Sequence, residues 1–143
     1  MERLENKHVE LWELLSQVFR NGRKRLEKEL QKISMKPTEI KVLHSISTHH
    51  ATQMNNLSDS LGITGPWITG VVDDLVSKGY VKKIRSKSDR RMISLSITPS
   101  GSQILSEGML IYNGLLEEVL SVLPEGRVEE LKDILETLNS SLQ

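Results

Sequence analysis

Between residues 5 and 33, apolar side chains fall at Val9, Leu11, Trp12, Leu15, Val18, Phe19, Leu26, Leu30 and Ile33, with charged residues between them. Steps of three and four predict one long amphipathic helix. It ends near Ser34, because Pro37 biases Lys36 away from helical backbone and itself suits the first turn of a second helix. That helix carries Ile40, Val42, Leu43 and Ile46 and reaches about Thr48. Asn55 or Asn56 is placed to cap a short third helix bearing Leu57 and Leu61, and Gly62 stops it. Thr64 caps a fourth helix whose inner face is Ile68, Val71, Val72, Leu75 and Val76, closed by Lys78 and Gly79.

The period then changes. Tyr80 and Val81 begin an extended stretch, Ser86 to Ser88 reads as a turn, and Ile93, Leu95 and Ile97 alternate with Met92, Ser94 and Ser96 as in a half-buried strand. Two strands with a polar tip make a hairpin. Thr98-Pro99 gives an N-cap followed by proline in the first helical position, so a fifth helix starts there and runs to about Val122. A sixth is expected from Leu123-Pro124, with Val128, Leu131, Ile134, Leu135 and Leu138 on one stripe. The fifth helix is apolar around more than one face, which requires cover on two sides. We expect a second copy of the chain to supply part of that cover, giving a homodimer built from the terminal helices.

Composition adds limits. The chain has 143 residues, no cysteine and five aromatic residues, which suits one compact domain or one domain with dimerising arms. Without cysteine there is no disulfide, thiolate metal site or cysteine nucleophile. The charged N-terminus leads into no unbroken apolar run, so we expect a cytoplasmic protein with neither signal peptide nor membrane span. His44 and the adjacent pair His49-His50 form no metal-ligand pattern, since neighbouring residues do not share a helix face. No metal, cofactor or catalytic set is expected, and the chain is not read as an enzyme.

The 19 basic and 19 acidic residues cancel only in sum. Residues 1–36 carry nine basic and six acidic side chains, residues 37–100 eight and five, and residues 101–143 two and eight. Residues 78–91 alone hold seven bases and one acid. Because salt screens charge beyond about 8 Å, such a patch can hold phosphate on a neutral protein.

Two short helices, a further helix and a basic hairpin follow the layout of a winged helix-turn-helix. The second helix of that motif enters the major groove, and the hairpin, or wing, lies against backbone and minor groove. Asp89 is placed to pair with Arg91 and steady the wing tip, leaving Arg90 to project, while Lys82, Lys83, Arg85 and Lys87 add phosphate contacts.

The same residues resemble the multiple antibiotic resistance regulator, or MarR, family. The likeness is carried by Leu57-x-x-x-Leu61-Gly62-Ile63-Thr64, Val72-Asp73-x-Leu75, Lys78-Gly79-Tyr80-Val81, Ser88-Asp89-Arg90-Arg91 and Leu95-x-Ile97-Thr98-x-x-Gly101. It implies a mainly α (α+β) fold: a winged helix-turn-helix over residues 37–98, with long terminal helices, residues 1–36 and 99–143, forming a dimerisation region. It further implies a homodimeric transcriptional regulator, a repressor on a pseudo-palindromic operator, released by a small amphipathic or phenolic effector. Trp12, Leu15 and Tyr112 are candidates to line the effector pocket, with aromatic core filler as the alternative.

The recognition helix departs from the family pattern. Thr64, Gly65, Pro66, Trp67, Thr69 and Gly70 should face DNA, yet there is no Lys or Arg between Lys41 and Lys78. The commonest specific contact, Arg or Lys to guanine, is missing from this helix. Trp67 could equally be a packing residue. An architectural DNA-binding protein of low sequence preference is therefore the alternative function.

Overall fold

The computed structural model describes residues 6–49, 52–62, 64–89 and 91–143. The sequence-predicted turn residue Ile63, the wing residue Arg90 and His50 lie outside the described residues. Helix α1 spans Lys7–Leu30 and closes in a 3-10 turn at Gln31–Ile33. Ser34 follows in the left-handed region at φ 57, and Met35 N–H bonds back to Leu30 O at 3.1 Å, which ends the helix where Pro37 requires it. Helix α2 then runs Pro37–His49.

A short strand β1 (Thr52–Gln53) precedes helix α3 (Met54–Leu61), and α4 covers Gly65–Ser77. Strands β2 (Val81–Arg85) and β3 (Ile93–Ile97) form the hairpin, followed by α5 (Pro99–Leu120) and α6 (Arg127–Ser141). The sheet order is β1-β3-β2, antiparallel throughout, with Val81 opposite Ile97, Lys83 opposite Leu95 and Arg85 opposite Ile93.

Three local expectations need correction. Helix α3 begins at Met54 with Gln53 as N-cap and no side-chain capping bond, so Asn55 and Asn56 sit inside its first turn. Backbone pairing of β1 with β3 fixes the entry before either asparagine can cap. Thr64 occupies the N-cap position of α4, but its side chain makes no capping bond. Helix α6 starts at Arg127, beyond Pro124, because Gly126 takes up φ 83 as its N-cap.

Two compact units divide the chain, one ending at Tyr112 and the other covering Asn113–Gln143. The core of the first gathers Leu26 and Leu30 from α1, Ile40, Leu43 and Ile46 from α2, Leu57 from α3, Ile68, Val72 and Leu75 from α4, and Leu95 from β3, all nearly inaccessible. Burying each such side chain contributes about 1.5–3 kcal/mol. Truncating a central one, as in Leu75→Ala, costs about 2–5 kcal/mol. Helix α5 approaches closely enough that a Cβ on Gly108 would run into the Ile40 side chain. In the second unit, Leu120, Val128, Leu131 and Leu135 line a shallow cleft between the end of α5 and α6.

Apolar side chains also remain outside. On α1, Val9, Leu11, Trp12, Leu14, Val18 and Phe19 are each more than half exposed. Val122, Ile134, Leu135, Leu138 and Leu142 are exposed in the second unit.

Candidate nucleic-acid interface

Helix α4 is two-faced. Ile68, Val71, Val72 and Leu75 point inward, whereas Thr64, Gly65, Pro66, Trp67, Thr69 and Gly70 are exposed. Proline in the first turn suits a helix start, since its missing N–H would have no partner inside the helix. Gly62 at φ 65 ends α3 and turns the chain toward α4, a conformation glycine adopts without strain. Thr69 Oγ1 donates to Gly65 O at 3.1 Å, so that hydroxyl is bonded within its own helix. The Trp67 ring is 56% exposed, which removes it from the core. The two charged side chains on α4, Asp73 and Asp74, are both acidic.

The wing supplies the opposite charge. Its tip is held by local bonds: Ser86 N–H donates to Met92 O at 2.9 Å and Met92 N–H to Asp89 O at 3.0 Å. Asp89 Oδ1 accepts the Arg91 backbone N–H at 3.0 Å, while its distance to Arg91 Nε is 3.9 Å. The aspartate therefore orders the tip mainly through the backbone, and the Arg91 side chain is left 96% exposed. Lys82, Lys87 and the apolar Ile84 are exposed beside it.

Alternation along β2 puts Lys83 and Arg85 on the same face as Val81, toward the lobe, and Lys82 and Ile84 on the other. Lys83 Nζ reaches Asp73 Oδ1 on α4 at 3.1 Å. Of the predicted wing cations, Lys83 thus joins the wing to the recognition helix. Sequence reasoning missed Asp73 as its partner because ten residues and a change of element separate them.

The root of the wing is also tied to α5. Thr98 Oγ1 donates to Gly79 O at 2.7 Å and accepts the Gly101 N–H at 3.0 Å, so this threonine is a true N-cap. A Cβ on Gly101 would run into the Tyr80 carbonyl oxygen, which explains why a residue without a side chain stands there.

Two cavities flank this lobe. Tyr112 lines one of about 550 Å³ with Ile40, Lys41, His44, His49 and Met109. Trp12 and Leu15, grouped with Tyr112 on sequence grounds, are not among its lining residues. A second cavity, of about 800 Å³, was not foreseen; Trp67, Gly70 and Asp74 of α4 line it together with Arg23, Glu39 and Lys78. Among the described residues no cluster of three or more potential metal ligands occurs, and no helix is long and apolar enough to cross a membrane.

Residues 35–93 match the MarR family. Over 129 residues, 90% of this chain and 89% of the other, the chain is 28% identical to the HTH-type transcriptional regulator MhqR of Bacillus subtilis. The crystal structure of the transcriptional regulator BldR from Sulfolobus solfataricus superposes with a TM-score of 0.81 at 28% identity, covering 96% of this chain and 95% of that one. A mutant MarR from E. coli complexed with operator DNA shares the fold at a TM-score of 0.83 and 24% identity, covering 93% and 96%.

Proposed function

We propose that the chain is a transcriptional regulator of the MarR family, with a winged helix-turn-helix that binds DNA, and that it represses transcription as a homodimer on a pseudo-palindromic operator. The observation that carries the reading is the joining of an exposed, cation-free recognition helix to a basic wing through Lys83 and Asp73. In this division of labour the wing cations hold phosphate, and Arg90 and Arg91 serve the minor groove. Thr64, Trp67, Thr69 and the two glycines lie against base edges. A helix without Arg or Lys reads thymine methyl groups and local shape rather than guanine.

Residues 37–98 act as the DNA-binding lobe, and residues 1–36 and 99–143 as the dimerisation region. The exposed apolar side chains of α1 support this, because a contiguous patch of that kind marks an interaction surface. An amphipathic or phenolic effector, entering beside Tyr112 and His44, loosens the hold on DNA; the 550 Å³ cavity there is of drug-like size. We place the protein in the cytoplasm, where its DNA is.

Competition binding tests the central point. A duplex from near the protein's own gene should outcompete random DNA by far more than a few-fold at moderate salt. The absence of cations on α4 favours one second reading, an architectural DNA binder. In that case binding is strongly salt-dependent and no duplex stands out.

A further inference from the structure

Lys78 belongs by sequence to the basic run over residues 78–91, and it is the C-cap residue of α4. Its side chain does not join the wing. The ammonium donates to Glu39 Oε2 at 2.9 Å and to Ser34 O at 3.1 Å, and lies 3.9 Å from Met35 Sδ. A lysine ammonium has three N–H donors, so these acceptors account for all of them. They lie at the corner where α1 gives way to α2.

That corner depends on the lysine. The Glu39 side chain is only 4% exposed, and its other oxygen accepts the Lys36 backbone N–H at 2.9 Å. A buried carboxylate that loses its cation is costly, so Lys78 is committed to it. Ser34 O is a helix-end carbonyl whose hydrogen-bonding needs are met from outside the helix. The 800 Å³ cavity, with Trp67, Gly70 and Asp74 on one wall, leaves this side of α4 loosely packed. The polar contacts of Lys78 tie this side of the helix to the α1–α2 corner.

We propose that Lys78 is a positioning residue for DNA recognition, fixing the C-terminal end of α4 to the α1–α2 corner instead of contacting phosphate. The proposal rests on the DNA-binding role argued above. Geometry gives the lever: thirteen residues of α-helix span about 20 Å, so a tilt of about 5° at the anchored end moves Gly65 and Pro66 by about 2 Å. That displacement breaks a hydrogen bond.

The test compares Lys78→Met, Lys78→Arg and Glu39→Gln for affinity to the best-bound duplex across a salt series. Lys78→Met and Glu39→Gln should each weaken binding about tenfold, with log-log salt plots parallel to that of the wild type. Lys78→Arg should recover part of the loss. A phosphate contact predicts the reverse pattern: Lys78→Met lowers the slope by about 0.9 per site, and Glu39→Gln binds as well as the wild type or better. Either result overturns the proposal. If Lys78→Met does not fold, Glu39→Gln decides, since it keeps the lysine and nearly the same shape.

Amide hydrogen exchange of the DNA-free protein supplies a readout independent of binding. Residues 65–80 should exchange faster in Lys78→Met while residues 81–97 do not; an unchanged rate over 65–80 overturns the latch. If the wild type binds no duplex but the exchange effect is present, the DNA-binding role fails and the latch itself survives.

Discussion

Replacing Gly101 by alanine sets two terms against each other. Alanine is the better helix former by about 1 kcal/mol, and Gly101 lies in the first turn of α5. Against that gain, the new Cβ meets the Tyr80 carbonyl oxygen and lies 2.8 Å from Ile97 Cγ1. The carbonyl cannot swing aside freely, because it accepts the Thr98 N–H at 3.0 Å. Overpacking a closed site costs about 1–3 kcal/mol, and losing that hydrogen bond adds about 1 kcal/mol. The net expectation is a destabilisation of about 1–3 kcal/mol. With a urea dependence of about 1–3 kcal/mol per molar, the midpoint falls by about 1 M. Gly70→Ala is the matched control, since a Cβ there meets nothing within 4 Å. It should raise stability by up to about 1 kcal/mol. Urea melts at one fixed protein concentration measure both, a precaution any dimer requires. A Gly101→Ala protein as stable as the wild type, with an unchanged slope, would refute the close-approach argument.

Three further outcomes are expected. In a two-fold dimer each wing substitution occurs twice, so Lys82→Ala or Lys87→Ala should reduce the log-log salt slope of DNA binding by about 1.8, and Lys83→Ala by less, because Asp73 engages its ammonium; equal reductions for all three contradict this. Thr98→Ala should lower stability by about 1 kcal/mol through loss of the Gly101 cap, and Thr98→Ser should not; calorimetry or urea melts at constant protein concentration distinguish them. Val18→Glu on α1 should turn a sedimenting dimer into monomer, whereas retention of the dimer would remove α1 from the interface.

Much of the fold was legible because its signals are local. The stop at Gly62, the helix start at Thr98-Pro99 and the apolar inner face of α4 each depend on residues within one or two helical turns. The wing charge was legible for the same reason: its cations cluster within ten residues of one short hairpin. The match to the MarR family covers residues 35–93, from the second helix to the start of β3, and ties these separate motifs into one lobe.

What the sequence left open depends on residues brought together only by folding. Strand β1 is two residues long, too short for any periodicity, and it exists because β3 offers backbone partners to Thr52 and Gln53. Lys78 counts by sequence in the basic run over residues 78–91, but the fold returns it to Glu39, 39 positions upstream, where a buried carboxylate requires it. Lys83 likewise became a tie to Asp73, and Gly101 acquired its reason from a carbonyl across the wing root. Sequence determined which residues are charged, apolar or conformationally free, because those are properties of the residues themselves. Tertiary structure decided which charges are spent inside the lobe and which remain for a partner, because pairing depends on distance in space.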